Sequence, residues 1–259
     1  MSQTATRLYL SAPDCGAGEA AAVARAIDSG WIAPLGPEVD AFEAELASTS
    51  ERGHAVALSS GTAAIHMGLL ALEVGHSNQV VVPTMTFGAT AFAVTYTGAE
   101  PVFLDVEECS WNLDPEVLRG FLDQRAATDQ LPAAVVTVDV FGRTCDYDMI
   151  LPMCAEYGVP VLADAAEALG ATHGSQPAGS LGAAAVFSFN GNKIVTTSGG
   201  GVLVTDDPEI ARKVRYWATQ SREPVPWYEH EEIGFNYRMS NILAALGRAQ
   251  LSRLPSIVE

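Results

Sequence analysis

Seven short apolar runs, most of them followed by a helical pattern, constrain this chain more than any other feature. They are HAVALS (54–59), QVVVP (79–83), PVFLDV (101–106), AAVVTVDVFG (133–142), VPVLADAA (159–166), AAAVFSFN (183–190) and GVLVT (201–205). Most lack a polar face, so the sheet they form must be covered on both sides. Residues 17–30, 38–48, 63–75, 87–98, 114–124 and 207–220 read as helices, with Asp114 as a cap and Pro115 in the first turn of the fifth. Strands alternating with helices predict an α/β fold, a largely parallel sheet between helical layers. Residues 221–236 read as the one loop-rich stretch, and there is no internal repeat.

Composition narrows the function. The formal net charge is −17, a field that repels nucleic acid and anionic membrane, so neither is an expected partner. No window approaches the ~18 uninterrupted apolar residues of a membrane span. The first residues lack a basic segment followed by an apolar one, which predicts a cytoplasmic protein. Cys15, Cys109, Cys145 and Cys154 are scattered with no CxxC pair, so they read as small hydrophobes rather than metal ligands or disulfides. In so acidic a chain, an anionic ligand needs dedicated positive groups or backbone amides.

Ligands of such folds bind beyond the carboxyl ends of the strands, and four candidate features fall there. Ser59-Ser60-Gly61-Thr62, between a strand and a helix, reads either as an ordinary capped helix start or as a phosphate cradle of free amides. Asp164 follows an apolar strand, where a carboxylate is costly unless paired. It can be a metal ligand, an acid/base group, a partner for a protonated ring nitrogen, or a loop cap. Glu167, three residues on, points into the same cleft or into solvent. Lys193 is one of only two lysines, the other being Lys213. It is either a surface residue or a nucleophile. A free lysine is neutral in only about one molecule in two thousand at pH 7, so a nucleophilic role requires an apolar, partly closed site. Ser188 and Asn190 can hydrogen-bond an anion or substrate beside it, and Ser198 to Gly201 permit tight backbone geometry. Phe87, just past a strand end, is a core residue by default or a platform for a flat ring.

A phosphate cradle, a ring platform, a carboxylate for a ring nitrogen and a reactive lysine are together what pyridoxal 5′-phosphate (PLP) requires. The chain also resembles the DegT/DnrJ/EryC1/StrS family of sugar aminotransferases. The resemblance rests on SGWIAPLGPEVDAFE (29–43), SSGTAAIHMGL (59–69), VVVPTMTFGATAFAV (80–94), GAEPVFLDV (98–106), LADAAEALGA (162–171), FSFNGNKIVTTSGGG (187–201) and IGFNYRMSNILAALGRAQL (233–251), in the family's order. It implies the fold type I large domain of the aspartate-aminotransferase kind, spanning residues 1–259. It implies that Lys193 forms the internal aldimine and that Asp164 keeps the pyridine nitrogen protonated. Glu167 is placed near the ring's O3′ and Phe87 against the ring. Ser60, Gly61, Thr62, Ser188 and Asn190 belong to the cofactor site, with Gly61, Thr62 and Ser188 around the phosphate. Asn236 is placed at the phosphate of a neighbouring subunit's cofactor, so the implied assembly is a homodimer with shared active sites. The implied reaction moves an amino group from L-glutamate to a nucleotide-linked keto-sugar, a 4-keto-6-deoxyhexose and by expectation UDP-linked. Trp31, Pro34 and Tyr237 lie in segments expected near the sugar. Arg238 reads as an anion ligand or a structural ion pair, and His230 as a cleft residue.

Two departures from the pattern stand out. Family members continue past AALGRAQL into a smaller C-terminal domain, whereas this sequence stops at SRLPSIVE, so that domain is expected to be missing. Asp139 stands where many members have a histidine, which alters polarity near the ring. The alternatives are a catalytically impaired, truncated family member and a nicotinamide-dependent nucleotide-sugar dehydratase or epimerase. The last needs a GxGxxG turn after its first strand, and none is present.

Overall fold

The computed structural model describes residues 9–259. Strands β1 (His54–Leu58), β2 (Gln79–Pro83), β3 (Glu100–Leu104), β4 (Ala134–Val138), β5 (Val161–Asp164), β6 (Thr172–His173), β7 (Gln176–Pro177), β8 (Ala184–Ser188) and β9 (Gly201–Thr205) alternate with helices. The helices are α1 (Ala17–Asp28), α2 (Pro37–Thr49), α3 (Gly61–Ala71), α4 (Gly88–Tyr96), α5 (Pro115–Ala126), α6 (Tyr147–Glu156), α7 (Pro208–Ala218), α8 (Asn241–Leu251) and α9 (Leu254–Val258). Seven strands form one sheet in the order β1-β9-β8-β5-β4-β2-β3, and β6 and β7 make a separate small hairpin. Neighbours from β8 through β3 pair in parallel, and β9 runs antiparallel to both β8 and β1. The expected sheet is therefore present, with one reversed strand.

Alternate strand residues feed two cores, as the two-residue period of a strand requires. Val81, Val135, Ala163, Val202 and Val204 face one side, with Phe42, Leu118 and Ile150 from α2, α5 and α6. Val56, Val80, Val136, Leu162, Val186 and Leu203 face the other, with Ile65, Val94 and Val214 from α3, α4 and α7. This two-sided burial is why the strands are apolar almost throughout. Asp114, Asp207 and Ser240 accept hydrogen bonds from first-turn amides of α5, α7 and α8, which fixes where those helices start. The run 133–142, read as one strand, ends at Val138 and turns through Val140–Gly142, where Phe141 adopts a left-handed φ of 51°.

Arg238 resolves to the structural role. Its Nη1 donates to Glu43 Oε1 at 2.7 Å and to the Ala57 carbonyl at 2.9 Å. Glu43 also accepts from the Ala57 amide at 2.7 Å, and Arg215 pairs with its other oxygen at 2.7 Å. The cluster ties α2, β1, α7 and the segment before α8 together. His230 is exposed, with Nδ1 2.9 Å from the Gln220 carbonyl, inside the loop-rich stretch expected there. No helix among the described residues is long and apolar enough to cross a membrane.

Candidate active site

Because β9 is reversed relative to both of its neighbours, β1 points the same way as β8. The carboxyl ends of β1, β8, β5, β4 and β2 therefore open at one edge of the sheet. Ser60 follows β1, Lys193 follows β8, Asp164 ends β5, Asp139 follows β4 and Phe87 follows β2. Gly201 begins β9 at that same edge, registered against both Leu58 and Ser188.

The α3 start presents free backbone amides at this edge. The Ser60 side chain accepts from the Ala63 amide at 3.0 Å, which leaves the Gly61 and Thr62 amides outside the helix's own hydrogen bonding. Their dipoles aim at the open edge, where negative charge is favoured. A Cβ on Gly61 would lie 3.0 Å from Ser188 Cβ, so the cradle and the Ser188 hydroxyl are side by side. A Cβ on Gly201 would lie 2.4 Å from the carbonyl carbon and oxygen of Ser60 and 2.5 Å from the Gly61 nitrogen. The last glycine of the SGGG run thus exists so that β9 can pass directly under the cradle. Gly201→Ala is expected to cost about 1–3 kcal/mol of stability and to weaken binding of inorganic phosphate. Urea unfolding with and without phosphate measures both, and a variant indistinguishable from the parent would show that the loop absorbs a methyl group.

Asp164 is 4% exposed. Thr90 Oγ1 donates to its Oδ2 at 2.6 Å, Thr86 donates in turn to Thr90 at 2.7 Å, and the Ala166 amide donates to Oδ1 at 3.2 Å. Burial raises its pKa, opposed by the Thr90 and Ala166 hydrogen bonds and by the charge on Lys193. A carboxyl so placed gains from a cation beside it.

Lys193 sits on a turn closed by its own amide, which donates to the Asn190 carbonyl at 3.0 Å. The Asn190 side chain is spent on Asn192, at 3.3 Å. The lysine side chain is only 15% exposed, and its Nζ donates to Glu167 Oε1 at 2.9 Å. The other Glu167 oxygen accepts from the amide of left-handed Phe141 at 3.0 Å. Glu167 therefore faces the cleft. Phe87 is 82% exposed, so it is not a core residue; it stands free at the start of α4. Asn236 is exposed on a bridge to Thr219, while its neighbours Phe235 and Tyr237 stack on each other and edge onto buried His66. The Tyr237 ring is thus committed to packing. Among the described residues, no cluster of His, Cys, Asp or Glu is arranged to hold a metal ion.

Sequence reasoning missed Thr90 and Phe141 as parts of this site and noticed Asp139 only as a departure. Asp139 did carry a signal: like Asp164 it directly follows an apolar strand and raises the same burial problem. Nothing in the sequence marks Thr90 or the Phe141 amide, whose roles depend on which loops meet.

The comparisons agree on one family. The family model described as the DegT/DnrJ/EryC1/StrS aminotransferase family matches residues 13–259. A Bacillus subtilis protein named "Putative pyridoxal phosphate-dependent aminotransferase EpsN" is 46% identical over 253 residues, 98% of this chain and 65% of its own length. A GDP-perosamine synthase of Caulobacter vibrioides is 39% identical, over 96% of this chain and 65% of its own. Among solved structures, "Putative sugar aminotransferase Spr1654 from Streptococcus pneumoniae, PLP-form" superposes with a TM-score of 0.89 at 28% identity, covering 97% of this chain and 68% of that one. The chain spans just under two thirds of the length of these curated relatives.

Proposed function

The chain belongs to the DegT/DnrJ/EryC1/StrS aminotransferase family, and from that premise we propose that it is the large domain of a PLP-dependent sugar aminotransferase. The reaction is transfer of an amino group from L-glutamate to the keto carbon of a nucleotide-linked sugar, a 4-keto-6-deoxyhexose. The observation that carries the reading is the largely buried Lys193 ammonium, 2.9 Å from Glu167, at the sheet edge that also presents Asp164 and the α3 amides.

The residues present fit the cofactor. The Gly61 and Thr62 amides with the Ser188 hydroxyl suit a phosphate, and the glycines leave room that a Cβ would fill. Asp164 suits a protonated ring nitrogen, and exposed Phe87 suits the ring face. When bound, PLP supplies an electron-accepting ring and an aldehyde that carries the amino group between substrates. Asp164, fixed by Thr90 and Ala166, would hold a proton on the ring nitrogen. Lys193 Nζ is the amine that would hold the cofactor's aldehyde carbon, and as a free amine it would carry the proton that the transfer requires. Glu167, pinned by the Phe141 amide, orients that amine and is placed to take its proton. Asn236, outward-facing, is assigned to the cofactor phosphate of a second copy in a homodimer, which we place in the cytoplasm.

Purified protein given PLP should develop a visible absorption band, which L-glutamate should discharge. A panel of GDP- and UDP-linked keto-sugars should then yield an amino sugar together with 2-oxoglutarate. No band would overturn the cofactor assignment. A band that glutamate leaves untouched would mark a binding domain without the transfer activity.

A further inference from the structure

Two buried carboxyls, not one, end at the catalytic edge of the sheet. Asp164 is registered against Val138 on the neighbouring parallel strand. Asp139 is the next residue, and its amide donates to the Asp164 carbonyl at 3.0 Å. Asp139 is 1% exposed. Its Oδ1 accepts from the Cys145 amide at 2.9 Å and from the Tyr147 hydroxyl at 3.0 Å. Thr137 Oγ1 lies 3.1 Å from that same hydroxyl. With the Tyr147 proton committed to Asp139, Thr137 is the donor in this pair. The chain Thr137, Tyr147, Asp139 thus converges on one oxygen.

The other oxygen, Oδ2, is buried with no hydrogen-bond partner among the described residues. A bare buried carboxylate oxygen is expensive. A carboxyl satisfied on one oxygen and bare on the other is built to hold a proton on the bare one. Its neighbours offer no cation to oppose that. Tyr147 and Cys145 both have their pKa raised well above the usual value by burial first and then by Asp139's charge. His173 lies edge-on to Tyr147, on the far side of that ring's packing. Beside Asp164 stand Lys193 and Glu167, already paired with each other.

We propose that Asp139 is a positioning residue of the active site, a proton-holding acid whose titration is coupled to the charge on Asp164 and whose own charge, once developed, favours a proton on the ring nitrogen that Asp164 contacts. The last clause rests on the cofactor assignment above; the coupling between the two carboxyls does not. Burial pushes Asp139 up to about 6, with the Asp164 charge adding to the rise against the Cys145 and Tyr147 hydrogen bonds. Below that pH Asp139 is neutral. Above it a negative charge develops, which disfavours ionisation of Asp164 but favours any cation held there.

The test uses Asp139→Asn, which keeps an oxygen for the Cys145 and Tyr147 donors and cannot titrate. In cofactor-free protein with carbon-13 in the aspartate carboxyls, the Asp139 signal, identified by its loss in Asp139→Asn, is followed against pH. The Asp139 midpoint should fall in Asp164→Asn, as removal of a neighbouring negative charge requires. Tyr147→Phe, which retains the carboxyl but removes a donor, should raise the Asp139 midpoint, and it decides the matter if Asp164→Asn does not fold. In the PLP-loaded protein, the absorbance-versus-pH curve should move to lower pH in Asp139→Asn. An Asp139 midpoint unmoved in folded Asp164→Asn, or unmoved in Tyr147→Phe, overturns the proposal. Protein that binds no PLP overturns the cofactor assignment instead and leaves the carboxyl titration to decide on Asp139.

Discussion

Lys193→Ala is expected to lose covalent attachment of PLP and to lower turnover by at least ~10²–10⁴-fold, the usual contribution of a positioned proton-transfer group. Loss of the bonded resting state adds to that figure. The alternative nucleophile is easily stated, since the chain has one other lysine. Lys213 lies on α7, with Nζ 3.7 Å from Glu73, on an element that contributes nothing to the edge where Asp164 and the α3 amides meet. Borohydride reduction of the loaded protein, followed by digestion, should tag the peptide containing Lys193 and leave Lys193→Ala unlabelled. A tag on Lys213, or an active Lys193→Ala, would remove the basis of the functional proposal.

Glu43→Ala is expected to cost about 3–5 kcal/mol of stability, the penalty for leaving one member of a buried ion pair without its partner. The Glu43 and Arg238 side chains are 8% and 7% exposed. The Glu43 carboxylate accepts from Arg238, Arg215 and the Ala57 amide, so its removal strands a buried cation and an edge-strand amide together. Urea unfolding should show a lower midpoint with an unchanged slope. A midpoint within about 0.5 kcal/mol of the parent, the range of an ordinary surface substitution, would mean that water reaches Arg238. The replacement touches no residue assigned to the cofactor, so any protein that remains folded should still take up PLP.

What could be read from the sequence follows from which physics is local. The seven strands were legible because two-sided burial writes itself as continuous apolar runs. Helices α5 and α7 were legible because Asp114-Pro115 and Asp207-Pro208 are start signals within a single turn. Helix α6 was not read, because Pro152 inside it mimics a breaker. The reversal of β9 was invisible, since GVLVT looks the same in either direction. Lys193, Asp164 and the Ser60–Thr62 segment are read from the sequence as single features with bland alternatives, and the fold brings them to one edge of the sheet. Phe87 shows the limit of composition-based defaults: an aromatic beside an apolar strand is usually interior, and here the strand end carries it into the open. Arg238 shows the converse, for a cation within a family motif serves the scaffold.

The placement of β9 between β1 and β8 has a consequence for how this polypeptide emerges from the ribosome. Among the described strands, β1 forms a ladder with residues 201–205 alone, and an isolated bridge joins Leu58 to Arg238. Until some 150 further residues have been translated, as the interval from β1 to β9 requires, β1 packs on α2 but has no strand to pair with. Such late closure between distant segments is slow and leaves an unpaired, sticky edge in the meantime. Chaperone demand during synthesis should therefore fall sharply once translation passes residue 205.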